Sequence, residues 1–199
     1  MACAALLGVA LAVPTVAQDG PAVEVVAEGL SNPRGVAIAA SGEVWVAEAG
    51  SAGDQCMQGG PEGGEICFGP TGAISRVVDG SVEQVVTGLL SGGFGPEVFG
   101  VSDIAFIDDS TFYVTANLGA DPADRDGMPP EMAGVAGWLL RGTTEGTIEP
   151  FADIAAFEAS DNPEPTLVDS NPYSVAVVDG GAVVADAGGN DLLMVDDSG

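Results

Sequence analysis

The stretch Arg34–Gly50, RGVAIAASGEVWVAEAG, reads as two short apolar runs joined by a turn at Ala40-Ser41-Gly42. The pattern returns as SDIAFIDDSTFYVTANLG at Ser102–Gly119 and as YSVAVVDGGAVVADAGG at Tyr173–Gly189. Alternating runs around a Gly, Asp or Ser turn are the signature of a β-hairpin, because successive strand side chains point to opposite faces. The equivalent residues Gly35, Asp103 and Ser174 lie 68 and then 71 positions apart. A hairpin copied at a nearly constant period marks a repeat architecture. The expected fold is all-β, a partial β-propeller of about three four-stranded blades.

Strands are expected at 36–39, 44–47, 73–78 and 82–87, then at 104–107, 112–115, 138–141 and 147–151, and finally at 175–178, 183–186 and 192–195. A short helix is expected at 154–159, closed by Pro163 and Pro165. Within each unit the first turn is tight, and so are the turns at Asp79-Gly80 and Thr143–Gly146. The surplus length sits at 48–72, 88–101, 116–137 and 152–171. In an antiparallel four-stranded blade these long connections all leave one face, which makes that face the expected binding surface. The third unit reaches Gly199 after three strands. Residues 18–199 are therefore expected to form a propeller incomplete at its C-terminus, with a first strand at Val23–Ala27 serving as the outer strand of the ring's last blade.

Thirty Asp and Glu residues face four arginines, with no lysine and no histidine, for a net charge of −26. Such a chain repels polyanions, which excludes nucleic acid as a partner. Residues Ala4–Val13 form an unbroken run of small apolar side chains, and Thr15-Val16-Ala17 follows as a small-x-small cleavage site. Residues 1–17 thus read as a signal peptide, with Gln18 as the new N-terminus, a secreted, periplasmic or extracellular destination, and no membrane insertion after cleavage. Cys56 and Cys67 share one Gly-rich loop, and in an exported chain they are expected to form a disulfide.

The runs GLSNPRGVAIAASGEVWVAEAG, CFGPTGAISRV, VVTGL, DIAAFEASDNPEP and DSNPYSVAVVDGGAVVADAGGNDLL resemble the ScyD/ScyE family. The likeness covers about Val25 to the C-terminus. It implies an exported, six-bladed propeller of the NHL or gluconolactonase-like kind, about twice this length, of which this chain would be the N-terminal portion. The run Gly95–Gly100 departs from the family's Gly-Pro-His-Asp-like run at the corresponding place.

No Ser-His-Asp or Cys-His arrangement can exist in a chain without histidine. The oxygen donors Glu48, Asn117 and Asp186 follow the second strands of the three units, where ligands from successive blades could converge on Ca²⁺. The mouth of the tunnel is expected to carry Arg34, Ser102, Asp103 and Tyr173, with Asn190 and Asp191 in the tight turn of the third unit. Arg34 is expected to pair with a carboxylate, or else to contact an anionic ligand. The expected function is that of an exported binding or scaffold protein for a small molecule or protein. The alternative is a metal-dependent, lactonase-like hydrolase.

Overall fold

A computed structural model describes residues 22–59, 63–163 and 167–199. The signal-peptide reading at 1–17 lies outside the described residues. The chain is almost entirely antiparallel β-sheet. Its first unit contains β1 (Pro33–Ile38), β2 (Val44–Glu48), β3 (Gln55–Gln58), β4 (Glu65–Val78) and β5 (Ser81–Phe94). The second contains β6 (Glu97–Phe106), β7 (Thr111–Ala116), the short α1 (Pro130–Ala133), β8 (Trp138–Thr143) and β9 (Ile148–Asp153). After α2 (Ile154–Asp161) come β10 (Pro172–Val178), β11 (Gly181–Asp186) and β12 (Asp191–Asp196). Strands β1 to β9 form one sheet and β10 to β12 a second. No helix among the described residues is long and apolar enough to cross a membrane.

The all-β expectation holds, as do the hairpins and the helix at α2. Two regions differ. The connections read as loops at 48–72 and 88–101 are largely strand: β4 and β5 continue well past the core as a long ladder, β3 pairs with the outer half of β4, and Phe94 pairs with Glu97 to turn β5 into β6. Their high glycine content hides them from propensity, since glycine weakens a strand but permits close backbone approach. The second difference is at Val23–Ala27, which is in no sheet, with Val23, Val25 and Val26 exposed.

Side-chain alternation builds the interior. In β7, Phe112, Val114 and Ala116 enter one apolar cluster, while Tyr113 between them enters another. Leu140 and Leu139 of β8 divide in the same way. The first cluster lies between the first and second units and centres on Trp45, Phe106 and Phe112, with ring centroids 5.6–5.7 Å apart. The second joins Tyr113 and Leu139 to Val175, Ala182, Val184 and Val195 of the third unit. The middle unit is therefore apolar on both faces, as a sheet covered on both sides must be. Strand β1 also packs beside β6, and β6 beside β10. The approach is close at Gly35, where a Cβ would stand 2.7 Å from the Cα of Asp103.

Cys56 and Cys67 face each other in the β3–β4 register and are joined by a disulfide, as expected. The bond closes a ring at the edge of the sheet rather than in the core. Replacing both cysteines with serine should speed amide exchange in β3 and the outer half of β4 by at least ~10-fold, consistent with a ring worth about 2–3 kcal/mol. Exchange in β7 and β8 should not change, and hydrogen-exchange mass spectrometry reads both regions in one experiment.

Candidate functional site

The long connections converge on one cleft of about 790 Å³. Its walls come from β3 and the outer halves of β4, β5 and β6 on one side, and from residues 117–128 on the other. Partly buried Phe99 gives the cleft an aromatic wall, backed edge-on by the buried Phe68 with centroids 6.0 Å apart. The opposite wall is anchored by Arg125, which donates 2.9 and 2.7 Å hydrogen bonds to the two carboxylate oxygens of Asp153. Arg34, Asn117, Asn171 and Tyr173 bring polar groups to the cleft. Arg34 and Tyr173 also border an adjoining groove of about 390 Å³, where Ser102 and Asp103 lie between β1 and β10.

Arg34 departs from expectation. Among the described residues it has no ion-pair partner; its Nη2 donates instead to the Val98 carbonyl at 2.6 Å. The other three arginines are each neutralised, Arg76 by Glu83 and Glu43, Arg125 by Asp153, and Arg141 by Glu149. A guanidinium carries five N–H donors, so most of those on Arg34 remain available at the mouth of the cleft. Glu97 and Asp124 line the same cleft and give it mixed polarity.

Ser102 and Asp103 join strands. Ser102 Oγ reaches Thr115 Oγ1 and the Tyr173 carbonyl, both at 2.9 Å. Asp103 Oδ2 accepts from Ser174 Oγ at 2.6 Å and from the Val175 N–H at 3.0 Å. These bonds tie β6 to β10 across the boundary between the two sheets. Tyr173 is the accessible member of the set, about half exposed.

Glu48, Asn117 and Asp186 are all buried, and they hold loops. Glu48 accepts from the Ser31 N–H at 2.5 Å and from Ser75 Oγ. Asp186 occupies the equivalent place in the third unit: its Oδ1 accepts from the N–H groups of Asn171, Gly188 and Gly189, and its Oδ2 from Ser170 Oγ at 2.7 Å. The repeated Ser-Asn-Pro at 31–33 and 170–172 is thus pinned twice by a carboxylate at the end of the following hairpin. The middle unit has Ala116 at that position, and Asn117 instead donates to Asn171 Oδ1 at 2.7 Å. The structure brings Asn117 and Asp186 to the same segment, Ser170–Pro172, and leaves Glu48 on its own. Asn190 caps the third unit's turn, with Nδ2 on the Gly188 carbonyl, and neither Asn190 nor Asp191 lines the cleft.

No family model and no curated protein matches the chain.

Sequence reasoning missed the aromatic wall, because Phe68 and Phe99 sit in segments read as loops. The Gly-rich runs around them gave no periodic signal; only the disulfide marked the region as ordered.

Asp186 satisfies four donors at once, and truncation would leave them buried and unpaired at about 1–3 kcal/mol each. Asp186→Ala should therefore lower unfolding stability by at least about 3 kcal/mol, and Asp186→Asn, which keeps one acceptor oxygen, by clearly less. Urea midpoints of the two variants check the order.

Proposed function

We propose that this chain has a β-propeller architecture, is exported, and binds a small amphipathic molecule in the cleft, with the aromatic wall against its apolar body and Arg34 against an anionic or strongly accepting group. The observation that carries the reading is the state of Arg34. In a chain with a net charge of −26, three of four cations are spent on neighbouring carboxylates, and the fourth stands at a cleft with donors to spare. Hydrogen bonds from a charged donor are about twice as strong as neutral ones.

The propeller reading is supported by three equivalent hairpins stacked through alternate faces, with their first strands side by side. The resemblance to the exported ScyD/ScyE family agrees with a disulfide, which needs an oxidising compartment. A cleavage at Ala17 would leave Gln18 as the N-terminus of the exported protein, and sequencing that terminus checks it.

The hydrolase reading has less support. It needs a metal, and in the candidate set Glu48, Asn117 and Asp186 the side chains are engaged by loop partners.

An aromatic sulfonate, 1-anilinonaphthalene-8-sulfonate, has the required chemistry. Its fluorescence should rise on binding, and Arg34→Ala should weaken its affinity by about tenfold or more, the equivalent of one charge-assisted bond. Arg76→Ala, which removes a cation distant in sequence and already ion-paired, should leave the affinity unchanged. Equal binding to the Arg34→Ala variant and the native protein would remove Arg34 from the site.

A further inference from the structure

The third unit contains a second concentration of charge, away from the cleft. Glu158 lies on α2, Asp169 precedes β10, and Asp186 and Asp191 bracket the turn Ala187–Asn190. Glu158 is only 1% exposed, and its Oε1 is shielded from solvent with no hydrogen-bond donor. Asp169 Oδ1 and both oxygens of Asp191 are likewise shielded and without donors. Asp186 beside them is fully satisfied, as described above.

Carboxylate oxygens of all three residues surround the apex of the turn, and those of Asp169 and Asp191 there have no donor, while the Glu158 carboxyl takes a backbone hydrogen bond from Asp169. A Cβ on Gly189 would stand 3.2 Å from Glu158 Oε2 and 3.5 Å from Asp191 Oδ1, and one on Gly188 would stand 2.7 Å from Asp169 Oδ1. Glycine at both positions leaves that space open. Among the described residues no cation answers these groups: the chain has no lysine or histidine, Arg76, Arg125 and Arg141 are ion-paired elsewhere, and Arg34 is on the Val98 carbonyl. Burial, together with the neighbouring charge of Asp186, pushes the carboxyls of Glu158, Asp169 and Asp191 above their usual range. Buried carboxylates persist when paired, hydrogen-bonded or bound to a metal.

We propose that Glu158, Asp169 and Asp191 bind a Ca²⁺ ion over the Gly188-Gly189 apex, locking α2 to the third unit. The donor set is oxygen only, which selects hard cations. Its members come from three separate segments around an irregular turn, which suits the variable geometry of Ca²⁺ better than the strict octahedron of Mg²⁺. No three of these residues place oxygens within 4.8 Å of one another, so binding draws the side chains inward and water completes the shell. Asp186 acts one step back, holding the turn through the Gly188 and Gly189 N–H groups. The site is distinct from any tunnel-mouth cage and independent of what occupies the cleft.

The test compares thermal unfolding of the full chain in EDTA and in CaCl₂ at matched ionic strength, with calorimetric Ca²⁺ titration. The native protein should show one tight site and a higher midpoint in CaCl₂. Glu158→Gln keeps the shape of the side chain while removing an unpaired buried charge. It should therefore raise the midpoint in EDTA, cut Ca²⁺ affinity at least ~10-fold, and abolish most of the gain in CaCl₂. Glu48→Gln should keep the Ca²⁺ response. A native protein with no tight site, or a Ca²⁺ response that survives in the Glu158→Gln, Asp191→Asn double variant, would overturn the proposal. So would a Glu158→Gln variant indistinguishable from native in both conditions, because the carboxyl would then be neutral without a metal.

Discussion

The two-sided burial of the middle unit is the constraint on which the rest depends. Because β7 and β8 send alternate side chains to opposite clusters, the second unit is the common wall of both cores. A shift of register by one residue would exchange Phe112 and Val114 with Tyr113 and mismatch both interfaces together. The Trp45–Phe106–Phe112 contacts show what this protects: aromatic rings from two units meet at edge and tilted angles that fit only one relative placement.

Polar groups then fix what apolar packing leaves free. Asp103 and Ser102 join β6 to β10, so the two sheets are linked by side chains where no ladder connects them. Glu48 and Asp186 do the same work within their own units by satisfying backbone donors of the chain entering the first strand. Each carboxylate thereby fixes the backbone where it enters its first strand. Asp186 has four donors, whereas one oxygen each of Glu158 and Asp169 and both of Asp191 are shielded without one, so carboxylates close together in the same unit stand in different states.

The hairpins were legible because alternation and tight turns act locally. Ala40-Ser41-Gly42 and Asp179-Gly180 announce their turns in the sequence, and the apolar runs on either side match β1, β2, β10 and β11. The long ladder of β4 and β5 was not legible, because its outer half owes its form to pairing partners up to about 25 residues away rather than to its own propensity. The face bearing the candidate site could be read from where the long connections fall. The side chains of that site could not, because partner choice is decided in three dimensions: Arg34 found a carbonyl where so many carboxylates were available, and Asp103 found β10 instead of solvent.

The walls of the cleft are paired strands closed by a disulfide on one side and, on the other, an insertion clamped by Arg125 to the residue that caps α2. On the proposed reading, a ligand would meet surfaces already in place and lose little affinity to ordering loops, whose cost otherwise reaches about 0.5–1.5 kcal/mol for each side chain immobilised. Recognition by a prearranged cavity rewards molecules of one shape and discriminates against flexible analogues. The evolution of a new preference would therefore proceed through the side chains on the walls, leaving the backbone that carries them unchanged.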